Sequence, residues 1–165
     1  MTPATLRRLS RYNAWANQRL YAACGALDPA EFAGPRPSFF GSIMATLNHA
    51  LVADMIWLGR FTDRYDHGIT ALDQILHDAF DPLARARAEL DGVIIAHFDG
   101  PMGDLEAPFS YRTMAGGAAV TPLGLTMLHM FTHTTHHRGQ VHDMLSATPT
   151  APPVLDFVYY LRENP

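Results

Sequence analysis

The sequence predicts an all-α protein, a four-helix bundle with a long crossover before its last long helix. Three observations carry this. Four stretches place apolar residues three and four positions apart, the spacing of one helix face. Clusters of Pro and Gly separate those stretches. At 165 residues, 48% hydrophobic and 17% charged, the chain is long enough for one core and too apolar for disorder. One domain over residues 1–165 is therefore expected.

The first helix is read from Thr5 to about Ala26, with Leu6, Leu9, Tyr12, Ala16, Leu20 and Ala23 on its core face. Gly25 and Asp28-Pro29 end it, and Glu31 to Pro37 reads as a loop. The second is read from Ser38 to about Arg64, with Ser38 or Ser42 as N-cap. It is apolar nearly all the way round, which puts it inside a bundle, and His49 lies in its middle, preceded by Asn48. Asp66 to Thr70 is a short connection. A third helical pattern runs from Leu72 to Phe98, continuous or broken at Pro82. Leu105 to Thr121 alternates around Gly116-Gly117 and reads as a short hairpin or extended crossover. Thr121-Pro122 carries the N-cap and N1 signature of a fourth long helix ending near Ser146. Asp156 to Glu163 predicts one last short helix.

Net charge is −4, and every fixed positive charge belongs to one of 12 Arg, with no basic stripe. Nucleic acid binding therefore has no electrostatic support. No apolar run approaches the ~18 residues of a membrane span, and no apolar leader is visible, so a cytoplasmic location and no membrane partner are expected. The single cysteine, Cys24, excludes an intramolecular disulfide and a cysteine-based zinc site, and its apolar setting predicts a buried thiol.

The chemistry concentrates in LHMFTHTTHHRGQVHDML, Leu128 to Leu145, which holds His129, His133, His136, His137 and His142, five of the nine histidines. On a helix His133 and His137 face the same way, and two imidazoles one turn apart form a recurring metal chelate. No Asp or Glu lies one turn from either, so an acid–histidine pair does not account for them. His49 sits where an unpaired imidazole is costly to bury. If the three meet, the site lacks the fourth protein ligand of a structural zinc centre and is open to water or substrate. His129 is a candidate fourth ligand or, better, a surface or supporting histidine. Arg138 and Gln140 are candidates to anchor substrate, orient a ligand or serve in packing, and His136 points about 100° away from His137. His67, His77, His97 and His142 read as solvated, and Tyr12, Trp15 and Trp57 as core.

The stretches YNAWANQRL (Tyr12 to Leu20), GSIMATLNHALVADMIWLGRF (Gly41 to Phe61), FTHTTHHRGQVHDML (Phe131 to Leu145) and DFVYYLRE (Asp156 to Glu163) resemble the DinB/YfiT-like family of metal-dependent enzymes. The resemblance spans nearly the whole chain in the right order. It implies a four-helix bundle, commonly a homodimer, holding a divalent metal, typically nickel or zinc. Carried over by position, the ligands are His49, His133 and His137. Thr132 departs from the pattern, since many relatives have Asn there, which bears on a hydrogen bond supporting the ligands. Relatives include enzymes that transfer or depend on low-molecular-weight thiols, and many have no assigned reaction, so the fold and site carry over further than the reaction.

Three functions remain open. A metal-dependent enzyme could transfer a low-molecular-weight thiol to an electrophilic small-molecule substrate, with Arg138 or Arg112 receiving the thiol's carboxylates. A metal-dependent hydrolase could use bound water, although no acid flanks the ligands as a general base. A stress-related, non-catalytic dimer could use the metal for stability or sensing.

Overall fold

The computed structural model describes residues 1–62 and 68–165, and within them the four predicted long helices are present. They are α1 (Pro3–Cys24), α3 (Ile43–Thr62), α4 (Phe80–Asp99) and α5 (Leu123–Ser146). The other described elements are short helices α2 (Pro29–Ala33) and α6 (Phe157–Glu163) and the antiparallel hairpin of β1 (Pro108–Arg112) and β2 (Ala118–Pro122). α1 packs on α4 and α5, and α3 packs chiefly on α5, so the four long helices close one bundle. Leu6, Leu20, Ile43, Leu58, Leu83 and Ile94 are at most 1% exposed at its centre. Each such side chain stabilises the fold by about 1.5–3 kcal/mol relative to exposure.

The helix starts follow from local chemistry. Thr2 caps α1 by accepting from the Thr5 N–H at 3.2 Å, and Pro3 takes the first position, where a missing N–H is not needed. Ser42, not Ser38, caps α3, its hydroxyl accepting from the Ala45 N–H at 3.0 Å. Gly41 immediately before it has φ +77°, a left-handed conformation that stops the helix from extending back to Ser38. The expected end of this helix at Arg64, the start of the following connection at Asp66, and His67 lie outside the described residues.

Two further expectations need correction. Within Glu31 to Pro37, residues up to Ala33 belong to α2, whose first turn is capped by Asp28 accepting from the Glu31 N–H at 2.8 Å. The periodicity from Leu72 does not produce a helix before Phe80. Asn48 explains this: its side-chain oxygen accepts from the backbone N–H groups of Leu76 and His77, at 2.9 and 3.0 Å. Its nitrogen donates to the carbonyls of His77 and Met44, at 2.8 and 3.0 Å. A buried amide on α3 thus takes the backbone groups that a helix would have used, and pins residues 71–79 as an irregular segment of turns and bends.

Pro82 lies in the first turn of α4, as its chemistry allows. The hairpin forms as predicted, with Arg112 opposite Ala118 and the turn carried by Gly116 at φ +84°. Thr121-Pro122, however, closes β2 and gives α5 no side-chain cap. Backbone carbonyls do that work instead: the N–H groups of Leu123 and Gly124 donate to Ala107 and Leu105, at 3.0 and 2.8 Å. The crossover therefore docks directly onto the start of the histidine helix. Among the described residues no helix is long and apolar enough to cross a membrane.

Candidate metal site

Packing α3 against α5 brings His49 beside the His133–His137 pair. The Nε2 atoms of His49 and His137 are 3.1 Å apart, and those of His137 and His133 are 3.2 Å apart. His49 and His137 are buried, and His133 is half-buried. The three residues that spacing and resemblance pointed to are thus together, positioned to hold a metal ion.

Their other ring nitrogens decide what the convergence means. His49 Nδ1 lies 2.7 Å from the Leu72 carbonyl, which can only accept, so the proton is on Nδ1 and Nε2 keeps its lone pair. His137 Nδ1 lies 2.8 Å from Gln140 Oε1, with the same consequence. His133 Nδ1 is buried without a protein partner. At least two lone pairs therefore face each other at hydrogen-bond distance with no proton to place between them. Metal–nitrogen bonds of about 2.0–2.1 Å would set ligand nitrogens about 2.9 Å apart at a right angle and about 3.3 Å apart in a tetrahedron. The two Nε2–Nε2 separations fall between these values, and all three ligand nitrogens lie within 4.8 Å of one another, so the set is placed to hold a divalent cation.

The electrostatics agree. Burial, then the neighbouring His137, His49, His129 and His136, hold His133 down to about 3. Burial also lowers His137 to about 4, against the upward pull of its Gln140 hydrogen bond, and lowers His49. All three imidazoles are neutral at pH 7, the state that ligates a metal. Phe40 stacks on His49 with ring centroids 4.1 Å apart and forms an apolar wall.

The remaining candidates separate. His129 is exposed, its ring centroid 5.6 Å from that of His133, beside the cluster. His136 is exposed, 3.2 Å from the Gln140 amide nitrogen, so Gln140 links it to His137. Thr132 turns its hydroxyl back to its own helix, onto the His129 carbonyl, and does not support the cluster. Arg112 is exposed on the hairpin, donating to Gly116. Cys24 is buried and its thiol is pushed up to about 12 by that burial. His97 is not simply solvated: its ring stacks on Phe61 and its Nε2 is buried without a partner. Tyr12 is core, packed on Trp15, Phe157 and Tyr160, whereas Trp57 borders a cleft beside the cluster.

Sequence reasoning missed a buried polar network behind the histidines. Arg87 of α4 donates to Asp54 of α3 and to Asp91, each at 2.8 Å. Thr134 donates to Asp54 at 2.7 Å, and Asn17 to Asp91 at 3.0 Å. Arg138 donates to Asn13, Asn17 and Thr135 and is therefore committed to packing α5 on α1, away from the histidine clefts. Asp91 and Asp54 outweigh the desolvation of Arg87 and hold its pKa above the ordinary guanidinium value. This network joins all four long helices and fixes the α3–α5 contact on which the cluster depends. Its signal was present in Asn13 and Asn17, four apart on a helix face, and in Arg87 and Asp91, also four apart.

The cluster opens on two sides. One cleft, about 560 Å³, is lined by Phe39, Phe40, Asp73, His136 and Gln140 together with the three histidines. A second, about 260 Å³, shares His49 and His133 and is lined by Trp57, Arg60, Tyr111 and His129 among others.

A four-helix bundle with an open three-histidine cluster between two helices defines a class of helical proteins able to hold a metal ion. Residues 1–164 match the DinB family, and the chain belongs to it. It is 24% identical over 160 residues to Protein DinB of Bacillus subtilis (strain 168), covering 93% of this chain and 92% of that protein.

Proposed function

We propose that the protein is a divalent-metal-dependent enzyme, with His49, His133 and His137 as ligands, that transfers a low-molecular-weight thiol to an electrophilic small molecule. The observation that carries this is the pair of clefts meeting at one cluster: His49 and His133 line both, so two reactants can approach from different sides. The sulfur must come from outside, because the thiol of Cys24 is buried and protonated at neutral pH. A divalent ion at the cluster, zinc or nickel by its imidazole donors, would keep a thiol deprotonated at neutral pH or, with water in its place, supply a hydroxide nucleophile.

The chain's own residues prepare that chemistry. The Leu72 carbonyl and Gln140 fix the tautomers of His49 and His137 and aim their lone pairs. Phe39 and Phe40 line the larger cleft, and Phe40, stacked on His49, shields that ligand from water. The reaction forms a sulfur–carbon bond as the leaving group departs with its bonding pair. A homodimer in the cytoplasm is the assembly and location expected of such an enzyme.

Asp73 supports hydrolysis as the second reading. It lies in the larger cleft, near enough to His49 to raise its pKa, and could act as the general base that the flanking sequence lacks. Two measurements test the proposal. Metal analysis of the purified protein should find a stoichiometric divalent ion that is lost in His137→Ala, and equal metal in both would remove the ligand assignment. Turnover of a test electrophile should then require an added thiol. Turnover independent of every thiol tried, but abolished in Asp73→Asn, would replace transfer with hydrolysis.

A further inference from the structure

The smaller cleft holds a cation, Arg60, with no carboxylate partner among the described residues. Arg11, Arg19, Arg36 and Arg87 each meet a carboxylate. Arg60 is half-buried, and among the described residues no acid pairs with it. Among the described residues its one hydrogen bond runs from Nη2 to the Arg112 carbonyl at 2.8 Å, and most of its five N–H donors meet no acceptor there. The guanidinium carbon lies 4.3 Å from the centroid of the Trp57 ring and 5.2 Å from that of Tyr111. The two rings and the hairpin carbonyl hold the fork in place before any ligand arrives, so little side-chain freedom is lost on binding.

The rest of the cleft matches one kind of ligand. Among the described residues no carboxylate lines it; Trp57 and Tyr111 supply aromatic walls, and His49 and His133 close its far end. Arg60 is eleven residues beyond His49 on α3, about 16 Å along the axis, a span shortened because Arg60 folds back over Trp57. The ligand is therefore elongated, with an anion at one end and an apolar body.

We infer that this cleft is a carboxylate subsite, in which Arg60 binds the carboxylate of a small ligand whose other end reaches the histidine cluster. The carboxylate belongs either to the thiol or to its electrophilic partner. Arg60 replaces Arg138 and Arg112 as the residue that receives it, since Arg138 is bound within the buried network. Burial lowers the Arg60 pKa, and Arg60 adds to burial in lowering that of His129. The inference rests on the proposed function only for what the far end of the ligand meets.

The test titrates purified protein, with and without added zinc, with 3-phenylpropionate, 3-phenylpropionamide and 3-mercaptopropionate, reading affinity by ligand-observed NMR. Wild type should bind the phenyl acid at least tenfold tighter than the amide, a comparison that needs no variant. Arg60→Gln should remove that preference, and His137→Ala should keep it. Equal affinity of wild type for acid and amide, or an unchanged preference in Arg60→Gln, overturns the subsite. A persisting acid preference in protein that takes up no zinc when zinc is added sustains the subsite while removing the metal reading. A zinc-dependent gain for the mercapto acid over the phenyl acid assigns the carboxylate to the thiol, and no gain assigns it to the electrophile.

Discussion

Two polar clusters occupy neighbouring faces of α5, and they are closed in opposite ways. His133 and His137 face the clefts, while Thr134 and Arg138, each one residue on and about 100° round the helix, face the buried network. In the network donors meet acceptors: Arg87 reaches both Asp54 and Asp91, and Asn13 and Asn17 bridge Asp91 to Arg138. In the histidine cluster two acceptors meet, the Nε2 atoms of His49 and His137 lying 3.1 Å apart. Burying polar atoms is costly in both places, and the chain itself answers that cost in only one. The network pairs its two buried carboxylates with Arg87 from within the chain, whereas the facing lone pairs of His49 and His137 have no proton between them.

The sharpest way to break this contrast is to remove one member from each side. Arg87→Met should destabilise the fold by about 3–5 kcal/mol, because two buried carboxylates lose their cation. Denaturant unfolding in the presence of chelator would measure it. His137→Ala under the same conditions should cost far less or even stabilise, since it relieves a lone-pair contact. Comparable losses in the two variants would show that the cluster is also structural without metal.

Chelation comes next in size. Metal at a hundredfold excess over its dissociation constant stabilises the native state by about 2.7 kcal/mol. Wild type should therefore lose that amount when chelator is added, and His137→Ala should lose none. A melting temperature indifferent to chelator in both proteins would mean that no metal is bound to the folded state.

The same contrast separates what the sequence discloses from what it does not. The long helices were legible because their apolar faces repeat at helical spacing, and His133 with His137 because four residues make one turn. His49 was visible as a histidine in a helix otherwise apolar all round. Asp54 sits in that same helix and is equally anomalous, yet its partners Arg87 and Thr134 come from other helices at no fixed spacing. The groups that aim the cluster were harder still. A backbone carbonyl at Leu72 orients His49, and any residue there could supply it. Residues 71–79 carry a helical pattern that only the amide of Asn48 overrides. Arg60 gains its meaning from Trp57, one turn earlier, and from Tyr111 on a hairpin far along the chain.

Gln140 offers a finer test, since it supports a ligand without touching the ion. Gln140→Leu removes the acceptor for His137 Nδ1 while keeping a side chain of similar length. Metal affinity should fall about 10- to 100-fold, the usual effect of deleting such a partner, with chelated-state stability nearly unchanged. An unaltered affinity would show that packing against Phe40 is enough to orient the ring.

The smallest effect is the pH dependence of the metal-free protein. His133 and His137 are held down to about 3 and about 4 when folded, and His49 is also lowered, while an unfolded histidine takes its proton near 6.5. Between these values the unfolded chain binds more protons than the native one, so stability falls as pH drops. The loss should begin below about pH 6.5 and continue toward pH 4, ahead of most carboxylate titration. The neighbours facing the cluster oppose one another here, with Asp73 favouring the protonated His49 and the Arg60 charge disfavouring protonation of His129. Partial solvent access at His133 screens the effect, so the slope is modest, but its sign is fixed. Chelated His133→Ala, lacking the most shifted imidazole, should lose less stability than wild type between pH 7 and 5. An equal or steeper fall in the variant would place the acid sensitivity in the buried network instead.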